Sequence, residues 1–477
     1  MNSEYRGCRL PLMILVIIAL VGVSNTYGQE PIDPNAPASE PFLQEEIPAQ
    51  PPQQALGAPL LEQRLSVSSN LLMEGLLGGQ DTSRLLMAVS LREEYSDNFD
   101  QENDNPKRES RTALIFGTRY QVKGKGRHLS LANTIEANYQ ANDRILNLGF
   151  TSPALDAGYT FPRLSLVLQD TFVRDDSLEE ASETGTRRER KTFWRNRFTP
   201  RARFQLSRLT RLELAYTNIV VAVEEGDQDD SVTDQIKATL QQELTRTLRG
   251  SFSYTFTRGD DSSSDPEFEF TMDADVTYDL TRNLSLIARA SWSYNNEAPQ
   301  DTDSVRYGSD LNVRYHLSPE LSLVIGAGAR VFDDEEGDPE ILFTWQIGLN
   351  GTLQLVPGTR LRLTSGQRII NTQGDVEDVG IVRRLTFSAQ LEQDISRFLR
   401  LRLLANTAFL ESLEGEPTDD DRKEFFWSTG ADLLYQLTRT WSLALQYEHR
   451  QRDANRAEDE FTENRVLFSI TGGFSVL

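Results

Sequence analysis

Phe268-Glu269-Phe270-Thr271-Met272-Asp273-Ala274-Asp275-Val276-Thr277-Tyr278-Asp279-Leu280-Thr281-Arg282-Asn283-Leu284-Ser285-Leu286-Ile287-Ala288-Arg289-Ala290 decides the fold. Up to Tyr278 every second residue is apolar, and the residues between are Glu, Thr or Asp. From Leu284 the alternation resumes: Leu284, Leu286, Ala288, Ala290, Trp292 and Tyr294 against Ser285, Ile287, Arg289, Ser291 and Ser293. Period two is strand spacing, not helix spacing. Two long strands around a tight Leu-Thr-Arg-Asn-Leu turn make a hairpin.

The turn returns throughout the chain. It reads Leu244-Thr245-Arg246-Thr247-Leu248, Leu317-Ser318-Pro319-Glu320-Leu321, Ile395-Ser396-Arg397-Phe398-Leu399 and Leu437-Thr438-Arg439-Thr440-Trp441. Looser copies begin at Leu206 and Leu355. Neighbouring copies stand roughly 36 to 42 residues apart, the mark of a repeated supersecondary unit. Halfway between copies lies a longer acidic loop rich in Gly, Asp and Ser. Short turn, strand, long loop, strand is an antiparallel up-and-down meander.

A soluble sandwich also alternates, but its strands average about five or six residues. Here the runs reach ten or more, the length of a tilted strand crossing the hydrocarbon layer. Aromatic residues gather near strand ends, as at Tyr120, Tyr139, Tyr159, Trp194, Tyr278, Tyr315, Trp427 and Tyr435, which suits the two interfacial belts of a membrane barrel. The expected fold is therefore all-β: a transmembrane up-and-down antiparallel β-barrel of about 20 strands, with 16 or 18 as alternatives. An even count puts both ends of the barrel on the periplasmic side. Two places fit poorly: the short connection at 141–152 followed by Pro153, and Asp170, which falls on the lipid-facing row. A bulge or a rim position would absorb either.

Residues 1–28 read as a secretory signal. Arg6 and Arg9 precede a continuous apolar run at 12–23, and Thr26-Tyr27-Gly28 is a small-x-small cleavage site. The only cysteine, Cys8, leaves with it, which excludes disulfides, thiolate metal sites and a cysteine nucleophile from the exported chain. Residues 29–82 form a Pro-rich periplasmic leader, expected to be largely disordered and available to dock polysaccharide export components. Its last part, 61–79, is leucine-studded; helix, plug and extra strand stay open. Residues 83–477 are the barrel. They end on the apolar row Val466, Phe468, Ile470, Gly472, Phe474 and Val476, a last strand that closes the barrel and presents a signal to the barrel-assembly machinery.

These features resemble a family, the β-barrel porins associated with exopolysaccharide loci in Gram-negative bacteria. The resemblance covers about residues 83–477 and rests on four elements. They are the signal, the Pro-rich leader, the Tyr95-Ser96-Asp97-Asn98-Phe99 element ending the first strand, and the Leu-[Ser/Thr]-Arg-x-[Leu/Trp] turns. It implies an outer-membrane location and passage or export of a polysaccharide or small solute.

Charge adds an independent clue. The formal net charge of −23 arises largely in the long loops, at 97–109, 175–189, 224–230, 333–336, 419–421 and 453–460. Solvated loops are one reading; bridging to lipopolysaccharide through divalent cations is another. The polar rows of the strands, by contrast, carry arginine: Arg195, Arg197, Arg201 and Arg203 on one strand, Arg360, Arg362 and Arg368 on another, Arg400 and Arg402 on a third. Arg119, Arg289, Arg314, Arg330 and Arg384 share that face. Arginine rows in a pore favour anions and bind acidic sugars or phosphates. Carboxylates at Glu136, Glu213, Glu243 and along 267–279 make a stiffening salt-bridge lattice the competing expectation.

No enzyme is expected. His128, His316 and His449 stand in no Gly-x-Ser-x-Gly or His-x-x-x-His setting. Gly124-Lys125-Gly126 is a hairpin turn without phosphate-loop spacing, and no cofactor is implied. Basic residues interleaved with aromatics at 191–203 have the look of a nucleic-acid surface, which export and the −23 charge oppose. The sequence points to a channel for exopolysaccharide or anionic solutes. A closed barrel with acidic loops acting as adhesin or envelope scaffold is the alternative, and a general diffusion porin a further one.

Overall fold

The structure is a computed structural model that describes residues 82–99, 101, 103, 106–175, 192–224, 230–261, 266–297, 302–334, 339–371, 381–412, 423–455 and 460–475. The expected signal, the leader and most of the acidic loops lie outside the described residues. Twenty strands account for nearly all of the rest. The first ten are β1 (Thr82–Ser96), β2 (Glu109–Gly124), β3 (Arg127–Gln140), β4 (Ile145–Thr160), β5 (Leu164–Asp175), β6 (Phe193–Gln205), β7 (Thr210–Val223), β8 (Ser231–Glu243), β9 (Leu248–Asp261) and β10 (Glu267–Asp279). The second ten are β11 (Leu284–Glu297), β12 (Thr302–Ser318), β13 (Leu321–Asp334), β14 (Glu340–Val356), β15 (Thr359–Asn371), β16 (Ile381–Ser396), β17 (Leu399–Ser412), β18 (Lys423–Gln436), β19 (Trp441–Ala454) and β20 (Phe461–Ser475).

Every strand pairs antiparallel with the next, and β20 pairs with β1 from Leu86↔Ser475 to Ser96↔Arg465. The sheet is a closed barrel without a free outer edge. Both described ends, Thr82 and Ser475, lie at the short-turn rim.

Chemistry at the turns explains the repeat. In each turn the second residue supplies a hydroxyl that accepts backbone N–H groups the turn leaves unpaired. Thr281 Oγ1 accepts from the Asn283 and Leu284 N–H groups at 3.2 and 3.1 Å. Thr245, Ser396 and Thr438 do the same for their own turns. The flanking Leu206, Leu280, Leu317, Ile395 and Leu437 stay exposed, facing outward at the turn-side rim. Two turns use glycine instead. Gly126 has φ +72 and Gly358 φ +83, a region that side chains with a Cβ rarely enter.

Residues directly opposite on neighbouring strands share a face, so the register sorts the chain into two surfaces. Outward lie Leu114, Ile135, Leu148, Leu214, Ile236, Leu311, Ile325, Leu403 and Leu445, all strongly exposed. Rings flank this band: Tyr159, Tyr278, Tyr315 and Tyr435 toward the short turns, Tyr95, Tyr139 and Phe425 toward the loops. An exposed apolar band between aromatic girdles is the lipid-facing surface of a membrane barrel.

The two weak places now have an account. Residues 141–144 make a four-residue turn, and the β4–β5 register shifts between Thr151 and Ala154. Asp170 stays on the lipid-facing row just below that shift, opposite Leu155 and Phe198. Its Oδ1 is buried without a hydrogen-bond partner.

One junction is incomplete. The β14–β15 ladder runs only from Val356↔Thr359 to Asn350↔Thr364, although both strands continue and stay paired on their other sides. At its upper end Ser365 Oγ accepts from the Leu349 N–H at 3.0 Å and donates to the Ile347 carbonyl at 3.5 Å. Beyond that point the facing edges of β14 and β15 are unpaired.

Candidate functional site

All the arginines expected on the polar rows have inward positions in the register. Arg289 shows how the rows are set: it stands opposite Asp275 of β10 and Asp310 of β12. Its Nε meets the Asp275 carboxylate at 2.9 Å. The two charges share a rung, and the apolar pair of the adjacent rung, Ala274 and Ala290, faces outward to lipid.

On β6 the four arginines differ in what they touch. Arg203 donates twice to Glu213 at 3.0 and 2.9 Å. Arg201 donates to the neutral Gln169 at 2.7 Å, which leaves its charge uncompensated by that bond. Arg195 lies over the Phe193 ring at 5.7 Å. Arg197 is exposed to the lumen and has no ion pair among the described residues. Arg314 of β12 and Arg330 of β13 are inward too, and the stem of Arg330 lies against Gly308.

A second group surrounds the short-turn mouth on β15, β16 and β17. Arg360 and Arg402 share Glu392 at 3.4 and 3.2 Å, Arg402 also reaches Asp432 at 3.6 Å, and Arg400 meets Asp394 at 2.7 Å. Arg362 is exposed beside them, without a carboxylate partner among the described residues. Arg360, Arg362, Glu392 and Asp394, with Glu320, Gln354 and Gln390, line a recess of about 580 Å³. Arg368 falls on the inward row of β15, and Arg119 on that of β2.

The adjoining wall, toward the loops, is a lattice that sequence reasoning only touched at Glu136. Arg92 pairs with Glu136, both nearly sealed from solvent. Arg465 bridges Glu94 and Glu448 at 3.5 and 2.9 Å; Arg450 bridges Glu448 and Glu463 at 3.1 and 4.0 Å; Arg452 meets Glu424 at 3.3 Å. Inward Ala113 and Ile115 are buried beside it. The Tyr95-to-Phe99 element completes the lattice. Ser96 donates to Glu463 at 2.7 Å, and Phe99 is buried. No signal short of the register would have found these pairs, whose members stand up to 371 residues apart.

The three histidines do not converge. His128 meets Asp156 near a turn at 3.2 Å, and His449 sits outward between Trp427 and Asn464. Among the described residues no group of His, Cys, Asp and Glu has the arrangement of a metal site. At the outer loop-side rim, Glu224 accepts two hydrogen bonds from Arg174, at 2.8 and 2.7 Å, and one from Trp194. The Arg174 bonds hold its carboxyl below the usual range.

No protein-family model matches the chain, and no curated protein matches it in sequence. In shape it is similar to a mutant of the ferric enterobactin receptor PfeA from Pseudomonas aeruginosa. The TM-score is 0.50 at 10% identity, over 83% of this chain and 81% of that one. It is also similar to OpdL of the same organism (TM-score 0.39, 14% identity, 83% of this chain and 99% of that one). OccAB3 of Acinetobacter baumannii gives a TM-score of 0.39 at 11% identity, over 82% of this chain and 99% of that one. At such identities the likeness is one of fold. An even number of antiparallel strands, an apolar band between aromatic girdles and both barrel ends at the short-turn rim fit the outer membrane of a Gram-negative bacterium.

Proposed function

We propose that the protein is an outer-membrane channel that passes anionic solutes, with acidic saccharide chains, as in exopolysaccharide export, the foremost candidates. One observation carries this reading. Arg197, Arg201 and Arg362 face the lumen exposed, and none has a carboxylate partner among the described residues. The remaining ladder supports it less directly, because Arg203, Arg289, Arg360, Arg400 and Arg402 are each matched by an acid. Unmatched guanidinium groups facing water attract anions and fork onto carboxylates or sulfates. Lipopolysaccharide and the barrel-assembly machinery are the partners this location entails, and the Pro-rich leader is proposed to meet periplasmic export components.

The test is ion conductance of the purified, refolded protein in a planar bilayer, with and without an acidic oligosaccharide. Discrete anion-preferring steps that the saccharide blocks are expected. Changing Arg197, Arg201 and Arg362 together to Gln should lower the anion preference at least threefold with the fold intact; unchanged selectivity would overturn the reading. The buried lattice on the β1–β3 and β18–β20 wall favours a second reading, a closed barrel whose acidic loops adhere or scaffold. A folded, silent barrel would select it.

A further inference from the structure

Two transverse rows of the register cross the recess on β14–β16. The row nearer the turns holds Gln354, Arg360 and Glu392 and continues to Arg402 and Asp432. The next inward-facing row holds Thr352, Arg362 and Gln390. The Thr352 N–H donates to the Glu320 carbonyl at 2.9 Å, which sets Glu320, from the β12–β13 turn, at the head of this second row. Between the two lies the apolar row Leu353, Leu361 and Leu391, in line with the exposed, outward Leu403. Both polar rows therefore face inward.

In the first row the charges cancel. Glu392 lies between Arg360 and Arg402 at 3.4 and 3.2 Å, and Arg402 reaches on to Asp432 at 3.6 Å. Asp394, a further carboxylate of the recess, is held by Arg400 at 2.7 Å. The second row differs. Glu320 and Arg362 are both exposed, and neither has an ion-pair partner among the described residues. One strand separates them, so with neighbouring strands about 4.8 Å apart their Cα atoms stand about 10 Å from each other. Around them are neutral groups, the Thr352 hydroxyl and the Gln354 and Gln390 carboxamides. The recess thus offers a lone carboxylate, a lone guanidinium and amides within about 580 Å³, a volume in the range of small-molecule sites.

We propose that this recess binds a small zwitterion, a short peptide with free ends, its carboxylate on Arg362, its ammonium group on Glu320 and its peptide groups on the Gln354 and Gln390 carboxamides. A guanidinium forks onto a carboxylate, and a carboxamide carries both a donor and an acceptor, as a peptide group does. A plain anion on Arg362 would face Glu320 across β14, and a plain cation on Glu320 would face Arg362. A solute that carries both charges matches both. An extended peptide spans at most about 3.3–3.6 Å per residue, so two or three residues cover the distance left once the long Glu and Arg side chains lean together. The site shares Arg362 with the channel reading but requires no ion conduction.

The experiment is a saturation-transfer NMR titration of the refolded protein in detergent micelles with triglycine, N-acetyl-triglycine and triglycine amide. Triglycine should bind saturably, and blocking either end should weaken binding at least threefold. Glu320→Gln should abolish the difference between triglycine and its N-acetyl form, and Arg362→Gln the difference between triglycine and its amide. The wild-type series stands without the variants should either fail to fold. Absence of saturable triglycine binding to a correctly folded, heat-modifiable barrel overturns the proposal. Equal binding of N-acetyl-triglycine, or of glucuronate, also overturns it, in favour of a site for plain anions. Discrimination that survives in both variants places the peptide elsewhere and overturns it as well. A barrel that is silent in the bilayer yet binds triglycine by these rules would remove the channel reading and leave this one in place.

Discussion

Asp97, the first residue beyond β1, takes two hydrogen bonds of 2.7 Å from Asn464 of β20, one from its backbone N–H and one from its side-chain amide. In return the Asp97 N–H donates to the Asn464 carbonyl at 3.2 Å. The pair fastens the loop-side end of the one junction whose strands are not neighbours in sequence. A hydrogen bond to a charged group contributes about 1.5–3 kcal/mol, and the part-exposed rim places this one toward the lower end. Asp97→Ala should therefore lower the temperature at which the barrel loses its heat-modifiable migration on a gel, and Asn464→Asp, which sets two carboxylates together, should lower it further. Equal mobility curves for all three proteins would refute this role.

Arg92 and Glu136 make one of the buried ion pairs of the lattice. Removing one partner of such a pair leaves an uncompensated buried charge, at a cost of about 3–5 kcal/mol. Arg92→Met or Glu136→Gln should each shift urea unfolding of the refolded barrel by that order. Arg92→Met combined with Glu136→Leu should recover most of the loss, because a matched apolar pair needs no counter-charge. A double variant as unstable as the sum of the singles would show that the pair acts through something other than charge.

In the turns the hydroxyl, not the methyl, is what matters. Thr281→Ser should be nearly silent, whereas Thr281→Val should cost about 1–2 kcal/mol by stranding two N–H groups. Unfolding of the two variants side by side checks this, and parity between them would remove the hydroxyl from the explanation.

Glu224 predicts a pH response at the outer rim. Arg174 lowers its carboxyl pKa, so the cluster stabilises the folded state above the ordinary carboxylate range and that contribution is lost as pH falls through the lowered value. Acidification should release Trp194 from its hydrogen bond and shift its emission. Glu224→Gln should abolish the shift while leaving the signal of Trp292, Trp345, Trp427 and Trp441 in place. A shift that persists in the variant assigns it to another group.

The strand count and the two faces were readable in advance because lipid imposes one requirement on every second residue, over and over. Leu284 to Tyr294 could be sorted from that rule alone. The lattice was not readable, since Arg465 finds Glu94 through a register set by the whole circumference. Neither was the short β14–β15 ladder. Ile341, Phe343, Trp345, Ile347 and Leu349 alternate as cleanly as any fully paired strand, because alternation reports which side a residue faces and says nothing about whether the neighbouring strand is bonded. Asp170 stands out in the sequence as a charge on the lipid-facing row, and Pro153 accounts for the register shift beside it.

Nineteen junctions of this barrel join strands that follow one another along the chain, and only β1–β20 joins its ends, with Ser90 and Ile470 in contact across 380 residues. Local hairpins form in microseconds, whereas long-range closure must first overcome the entropy of bringing distant segments together. Assembly thus becomes a sequence of fast, independent additions followed by a single slow stitch. The order of events is built into the connectivity: loss of β20 would leave nineteen strands able to zip and none able to finish, a ribbon whose two exposed edges seek partners in other molecules.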